Sequence, residues 1–262
     1  MTDLEREYSP SSRVGGSAAP FVEQYQQRSV RAAQALAGHV QRLPDGTVLV
    51  APQPSAPLLV FVHGGYWQAL SAFDSLYLAP AAVAQGWSFA AVEYTLAPSG
   101  TIEQMVGECR HALDLLAGRV ATSEVVLAGH SAGAHLAAMV ALAAPSPLAL
   151  SRVALVSGVF DLRPLLHTTV NEPLALSPER AAASSPLLLP VAGGSTISVV
   201  VACGDNETDA FKDQSRRYAE HLRTGGVSVS SIECAPRHHF DIVDDLVDPL
   251  TELGRFTLGA TR

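Results

Sequence analysis

The sequence predicts an α/β fold, a mostly parallel central sheet with helices on both faces, formed by its 262 residues as one domain. Three observations predict it. Short unbroken apolar runs recur along the chain, as expected for strands covered on both faces. Helical patterns separate the runs, which implies parallel strands joined by right-handed crossovers. Finally, GHSAG (129–133) joins one apolar run directly to an alanine-rich helical stretch.

Residues 1–19 are rich in Ser, Gly and Pro and are expected to wrap the surface as loop. From Pro20 to about Ala37 the pattern is helical, with Pro suited to the first turn. The strands expected next are 58–64 (LLVFVHG), 88–94 (SFAAVEY), 125–129 (VVLAG), 153–158 (VALVSG) and 197–204 (ISVVVACG). Between two of them, Thr101 with Gln104 forms a capping-box signature. Met105, Cys109, Ala112 and Leu116 then share one helix face, and Gly118 marks the stop. VSVSSI (227–232) alternates, as a strand near a sheet edge would. Residues 159–195 are too long for a plain connection and too rich in proline for one helix; with residues 1–40 they are expected to cover the active site.

A net charge of −8 offers nothing to nucleic acid or an anionic membrane, so neither is an expected partner. The charged start MTDLEREYSP lacks the apolar core of a signal peptide, and no apolar run reaches the roughly 18 residues of a spanning helix. Cys109, Cys203 and Cys234 form no CxxC and read as small buried hydrophobes of a cytoplasmic protein.

The chemistry starts at Ser131. In a parallel sheet, residues just past the carboxyl ends of strands face the ligand crevice. Gly129-His130-Ser131-Ala132-Gly133 has the G-x-S-x-G form, in which a sharp strand-to-helix turn pushes the serine hydroxyl out of the packed layers. Its flanking glycines let backbone approach without a Cβ clash, and the helix start directs free N–H groups toward an anion. A nucleophilic serine also needs donors for the developing oxyanion, a base and an orienting acid. FVHGGYW (61–67) follows another strand end, where the N–H groups of Gly65 and Tyr66 can join that of Ala132. Acid candidates follow Gly204: Asp205, Glu207 and Asp209. Glu207 has the reach to turn back, whereas Asp205 is placed to hold the loop. The base lies in RHHFDIVDDL, where His238 and His239 compete and only one can point at Ser131. Adjacent histidines cannot both chelate and no HExxH is present, so no metal is expected. His63, His130 and His135 read as structural, and His39, His111, His167 and His221 carry no catalytic signal.

Nearly end to end, the chain resembles the α/β-hydrolase kynurenine formamidases, or arylformamidases. EYSPS, HGGYWQ, YTLAPSGTIEQMV, GHSAGAHLAAM, LVSGVFDL and HHFDIVDDL carry the likeness. The resemblance implies Ser131 as nucleophile, Gly65 and Tyr66 as oxyanion donors, and His239, the histidine followed by Phe, as base. It places the acid at Glu207 through Phe211, Gln214 and Ser215, at a position where relatives often carry Asp. The corresponding hairpin around 43–57 is usually longer in relatives, so that end of the sheet is expected to be trimmed. The implied reaction is hydrolysis of N-formyl-L-kynurenine, a small aromatic formamide, to formate and L-kynurenine in tryptophan catabolism. It uses side chains, backbone N–H groups and water, with no cofactor. Tyr66 and Trp67 beside the donor loop are then candidate substrate walls, Trp67 reading equally well as core. Phe160 and Asp161, at the start of the covering segment, are candidates for contact with the substrate's leaving group, and Arg163 or Asn171 for its carboxylate. Oligomeric state is left open, a homodimer being compatible. The alternatives are a general carboxylesterase for small-acyl or aryl esters and a non-catalytic binding module on the same scaffold.

Overall fold

The computed structural model describes residues 2–53, 55–142, 148–191 and 197–259. In chain order its elements are α1 (Asp3–Glu7), α2 (Ala19–Ala35), β1 (Val40–Arg42), β2 (Val48–Val50), β3 (Leu58–Val62), α3 (Ala79–Ala84), β4 (Ser88–Val92), α4 (Ile102–Ala117), β5 (Val125–His130), α5 (Ala132–Leu142) and β6 (Arg152–Val156). Then come α6 (Asn171–Leu174), α7 (Pro178–Ala183), β7 (Ser198–Asn206), α8 (Asp209–Thr224), β8 (Ser228–His238) and α9 (Glu252–Leu258). Short 3-10 turns intervene, among them Pro10–Arg13 and Ile242–Val247.

The eight strands form one sheet in the order β1-β2-β4-β3-β5-β6-β7-β8. All pairings from β4 to β8 are parallel; β2 runs antiparallel to both β1 and β4. The reason the strands read as unbroken apolar runs is visible in the packing. Leu58, Val60 and Val62 of β3 join one core with Met105 of α4, Leu136 of α5 and Tyr218 of α8. Leu59 and Phe61 join a second core on the opposite face with Tyr25 of α2, Ala79 of α3 and Leu253 of α9. Successive side chains point to opposite faces, so a sheet covered twice needs apolar residues at every position. Met105, Cys109, Ala112 and Leu116 are all buried, as the α4 periodicity requires.

The structure corrects several local expectations. The N-terminal stretch is not plain loop: Thr2 caps α1 by accepting the Glu5 N–H, with Asp3 and Glu5 in the acidic first turn. Only half of the capping box at α4 forms, since Thr101 accepts the Gln104 N–H while the Gln104 side chain donates to Glu108 instead. Gly118 ends that helix with φ −80°, without a left-handed residue. The hairpin before β3 consists of two three-residue strands, its turn held by Asp45 accepting from Thr47 N–H and hydroxyl. β8 is an edge strand, and it runs on from Ile232 to His238. Within 159–195 the chain folds into α6, α7 and 3-10 turns; residues 192–195 of that stretch lie outside the described residues. Among the described residues, no helix is long and apolar enough to cross a membrane.

The order in which strands are added reverses at β3: β4 lies to one side of it, and β5, later in sequence, to the other, all three running parallel. Such a switch point opens a crevice at the carboxyl ends of β3 and β5. Val62 pairs with Gly129, so the segments following β3 and β5 emerge side by side.

Candidate active site

Ser131 occupies the junction of β5 and α5 with φ +56°, a left-handed conformation that is costly for a residue with a Cβ. Its N–H donates to the Val156 carbonyl at the end of β6 (2.8 Å), which ties the turn to the neighbouring strand. The glycines around it leave no room. A Cβ on Gly133 would lie 2.0 Å from the Val62 oxygen, and one on Gly129 would lie 2.2 Å from the Gly133 oxygen. A Cβ on Gly64 would sit 3.1 Å from that of Ser131, so the segment after β3 passes directly beside the serine.

That segment turns through consecutive left-handed residues, Gly65 (φ +97°), Tyr66 (+52°) and Trp67 (+60°). The Gly65 carbonyl accepts from Gln68 and Ala69 N–H groups, closing the turn. Among the described residues, the N–H groups of Gly65, Tyr66 and Ala132 have no backbone or side-chain acceptor. Unpaired donors around an exposed anion position are what a developing oxyanion requires.

β7 and β8 bring a carboxylate and an imidazole together. Asn206 pairs with His238 across a bulge, so Glu207 and His239 leave the sheet next to each other. His239 Nδ1 donates to Glu207 Oε2 at 2.9 Å, both residues being buried. This bond fixes the proton of the neutral ring on Nδ1 and leaves the Nε2 lone pair open. Glu207 Oε1 accepts from the Ser157 hydroxyl and the Gly204 N–H, each at 2.6 Å. Burial alone would raise the Glu207 carboxyl; the His239 ring, the Ser157 hydroxyl and the Gly204 N–H outweigh it and hold the pKa below the ordinary glutamate value. His130, which precedes Ser131, bonds through Nε2 to the His239 carbonyl (2.7 Å), with ring centroids 4.8 Å apart. The imidazole is thereby tied to the serine turn.

The remaining candidates separate cleanly. Asp205 accepts the Arg237 N–H (2.9 Å), holding the loop across from β8, and His238 Nδ1 accepts from the Phe240 and Asp241 N–H groups. Neither reaches the His239–Glu207 pair. Trp67 and Phe160 are wholly buried, so Trp67 takes its core reading and Phe160, expected near the leaving group, presents no accessible surface to a substrate. Trp67 packs edge-on to His135 at 5.1 Å, and Phe160 stacks on Tyr218 at 4.2 Å. Arg163 forks onto Asp161, and Asn171 uses both ends of its amide on Leu176, so each is already engaged within the covering segment. Tyr66 remains half-buried. The accessible aromatic surface nearest His239 was not foreseen: Phe240 lies 5.4 Å from its ring and stacks on Phe21 at 4.6 Å. Ser157 was also missed, although a serine at the end of a predicted strand in LVSG was a usable signal.

Comparison with known proteins places this geometry. Residues 59–241 match the family described as alpha/beta hydrolase fold. The kynurenine formamidase of Danio rerio is 37% identical over 203 residues, covering 74% of this chain and 69% of its own. The chain belongs to the kynurenine formamidase family of α/β hydrolases. Another member, the kynurenine formamidase of Salmo salar, is 34% identical over 94% of this chain and 91% of its own. Among solved structures, a protein from Silicibacter sp. TM1040 assigned as a thioesterase superposes with a TM-score of 0.88 at 28% identity, covering 98% and 99% of the two chains.

Three structural histidines of this family member carry a pH dependence. Burial lowers His63 to about 4, His130 to about 3 and His135 to about 4. In the unfolded chain such rings protonate near 6.5. As pH falls below that value the unfolded state takes up protons the fold refuses, so stability is full above about 6.5 and is lost on the way down to about 4. Each ring contributes up to about 1.4 kcal/mol per pH unit in that window. Urea denaturation is expected to show a marked fall in midpoint from pH 7 to pH 5; an unchanged midpoint would refute this.

Proposed function

We propose that the chain hydrolyses N-formyl-L-kynurenine to formate and L-kynurenine, with Ser131, His239 and Glu207 as its triad. The observation that carries the reading is the buried His239–Glu207 pair, tied by His130 to the left-handed serine turn. The kynurenine formamidases it resembles over most of their length supply the substrate class.

In this mechanism His239 Nε2 takes the Ser131 proton as the hydroxyl oxygen attacks the formyl carbon. The N–H groups of Gly65, Tyr66 and Ala132 hold the resulting oxyanion; losing one such donor typically costs about 3–4 kcal/mol. Glu207 stabilises the imidazolium, which protonates the aniline nitrogen as the C–N bond breaks. Water, deprotonated by the same imidazole, then releases formate from the formyl-serine. The formyl group has no side chain, so the acyl side can be narrow, while the aryl group lies toward Phe240 and Phe21. The described parts of the two covering segments, residues 2–40 and 159–191, form the cover: Glu5 of α1 accepts from Thr169 beside α6, and Phe21 of α2 packs against the His239 loop.

The test is a comparison of rates on N-formyl-L-kynurenine, followed by absorbance, and on aryl acetates. The formamide is expected to be the better substrate by kcat/KM. Acetates preferred by a wide margin would make the chain a carboxylesterase instead.

A further inference from the structure

EYSPS, near the start of the chain, has no part in the proposed triad, yet α1 and Tyr8 are tied to the segment that follows Glu207 and to the turn at Tyr66. The Glu7 carbonyl accepts from the Thr208 hydroxyl (2.6 Å), and the Glu7 carboxylate accepts from the Ala210 N–H (3.1 Å), one and three residues beyond Glu207. Glu5 accepts from the Thr169 N–H (3.1 Å) and hydroxyl. The buried Tyr8 ring lies 6.2 Å from Phe211, which itself packs edge-on to His239 at 4.7 Å. The Tyr8 hydroxyl accepts from Gln214 Nε2 (3.0 Å), and Gln214 Oε1 accepts from the N–H groups of Phe160 and Asp161.

The contact of most consequence is with the donor turn. Tyr66 holds a left-handed backbone conformation, and its hydroxyl donates to the Tyr8 carbonyl. Its neighbour Trp67 is fixed by complete burial and by the Ala97 N–H on its carbonyl. Tyr66 is half-buried, and among the described residues the Tyr8 carbonyl is the one acceptor of its hydroxyl. A strained backbone persists only where its surroundings over-determine it.

We propose that residues 2–8 are a buttress that positions the Tyr66 N–H for the oxyanion, through the bond from the Tyr66 hydroxyl to the Tyr8 carbonyl. Tyr66 thus contributes twice: its N–H faces the reacting oxygen, and its side chain aims that N–H. The inference rests on the proposed triad chemistry. It predicts that the buttress serves the transition state more than substrate binding, because an oxyanion exists only after attack.

Two variants test it, Tyr66→Phe, which keeps the ring and removes the hydroxyl, and a chain lacking residues 2–8. Wild type is first assayed on N-formyl-L-kynurenine and titrated with phenylboronic acid, which forms a tetrahedral adduct on a reactive serine; failure of both would sink the triad reading itself. Given an active wild type, Tyr66→Phe is expected to lower kcat about tenfold to a hundredfold, the scale of a misplaced catalytic group. KM should stay within about twofold, and phenylboronate affinity should weaken in parallel with kcat. Unchanged kcat, or a raised KM with kcat and boronate affinity retained, would overturn the proposal. A lowered melting temperature with wild-type kcat at 25 °C would do the same. Tyr66→Phe decides the matter even if the shortened chain fails to fold.

Discussion

Ser131→Ala is expected to remove at least about four orders of magnitude of turnover on N-formyl-L-kynurenine, leaving only what binding and the oxyanion donors achieve without a nucleophile. The substitution is a clean probe. Alanine meets the same left-handed backbone at φ +56° with the same Cβ, and no described group bonds to the serine hydroxyl. The backbone bond from residue 131 to Val156 is untouched. The melting temperature should therefore stay within a few degrees of wild type while the absorbance assay goes flat. Retention of more than a few per cent of the activity would show that another group attacks the formyl carbon.

Gly133→Ala is expected to have the largest effect on the fold. Its new methyl would lie 2.0 Å from the Val62 oxygen and 2.5 Å from the His63 oxygen. An overpacked core usually costs about 1–3 kcal/mol because neighbouring side chains find other rotamers. These neighbours are backbone carbonyls at the end of β3 and have no rotamer to change. Relief requires α5 to lift away from the sheet, which would open the Val62–Gly129 register and the serine turn with it. A loss above about 4 kcal/mol, taken from a total stability of roughly 5–15, would leave a much weakened and at the low end marginal fold. Soluble yield and a urea titration check this; wild-type stability would mean that the junction is looser than its contacts require.

Much of the architecture was legible because burial on both faces writes itself into the strands as unbroken apolar runs. The segments that escaped are those whose conformation is decided by distant partners. α1 has five residues and no periodicity to read; it is held by Thr169, Thr208 and Ala210, far along the chain. β1 and β2, with three residues each, are too short for a pattern. At the proposed site, glycines and strand ends point to Ser131, Gly65 and the His239 region as candidates. Residue type could not tell which way Trp67 and Phe160 point. The left-handed turn at 65–67 sends the indole into the core, and Phe160 folds back over Gly158, where a Cβ would lie 2.3 Å from its ring. The choice between Asp205 and Glu207 likewise depended on a register: the bulge between Gly204 and Asn206 sets which carboxylate meets His239.

The proposed triad is placed unevenly on the sheet. Ser131 rises from β5, flanked on both sides by paired strands, whereas His239 hangs from β8, which has a neighbour on one side alone. Margins of a sheet fray at lower free energy than interiors. If proton transfer runs between Ser131 and His239 as proposed, loosening of β8 is expected to end turnover while the centre of the sheet is still intact.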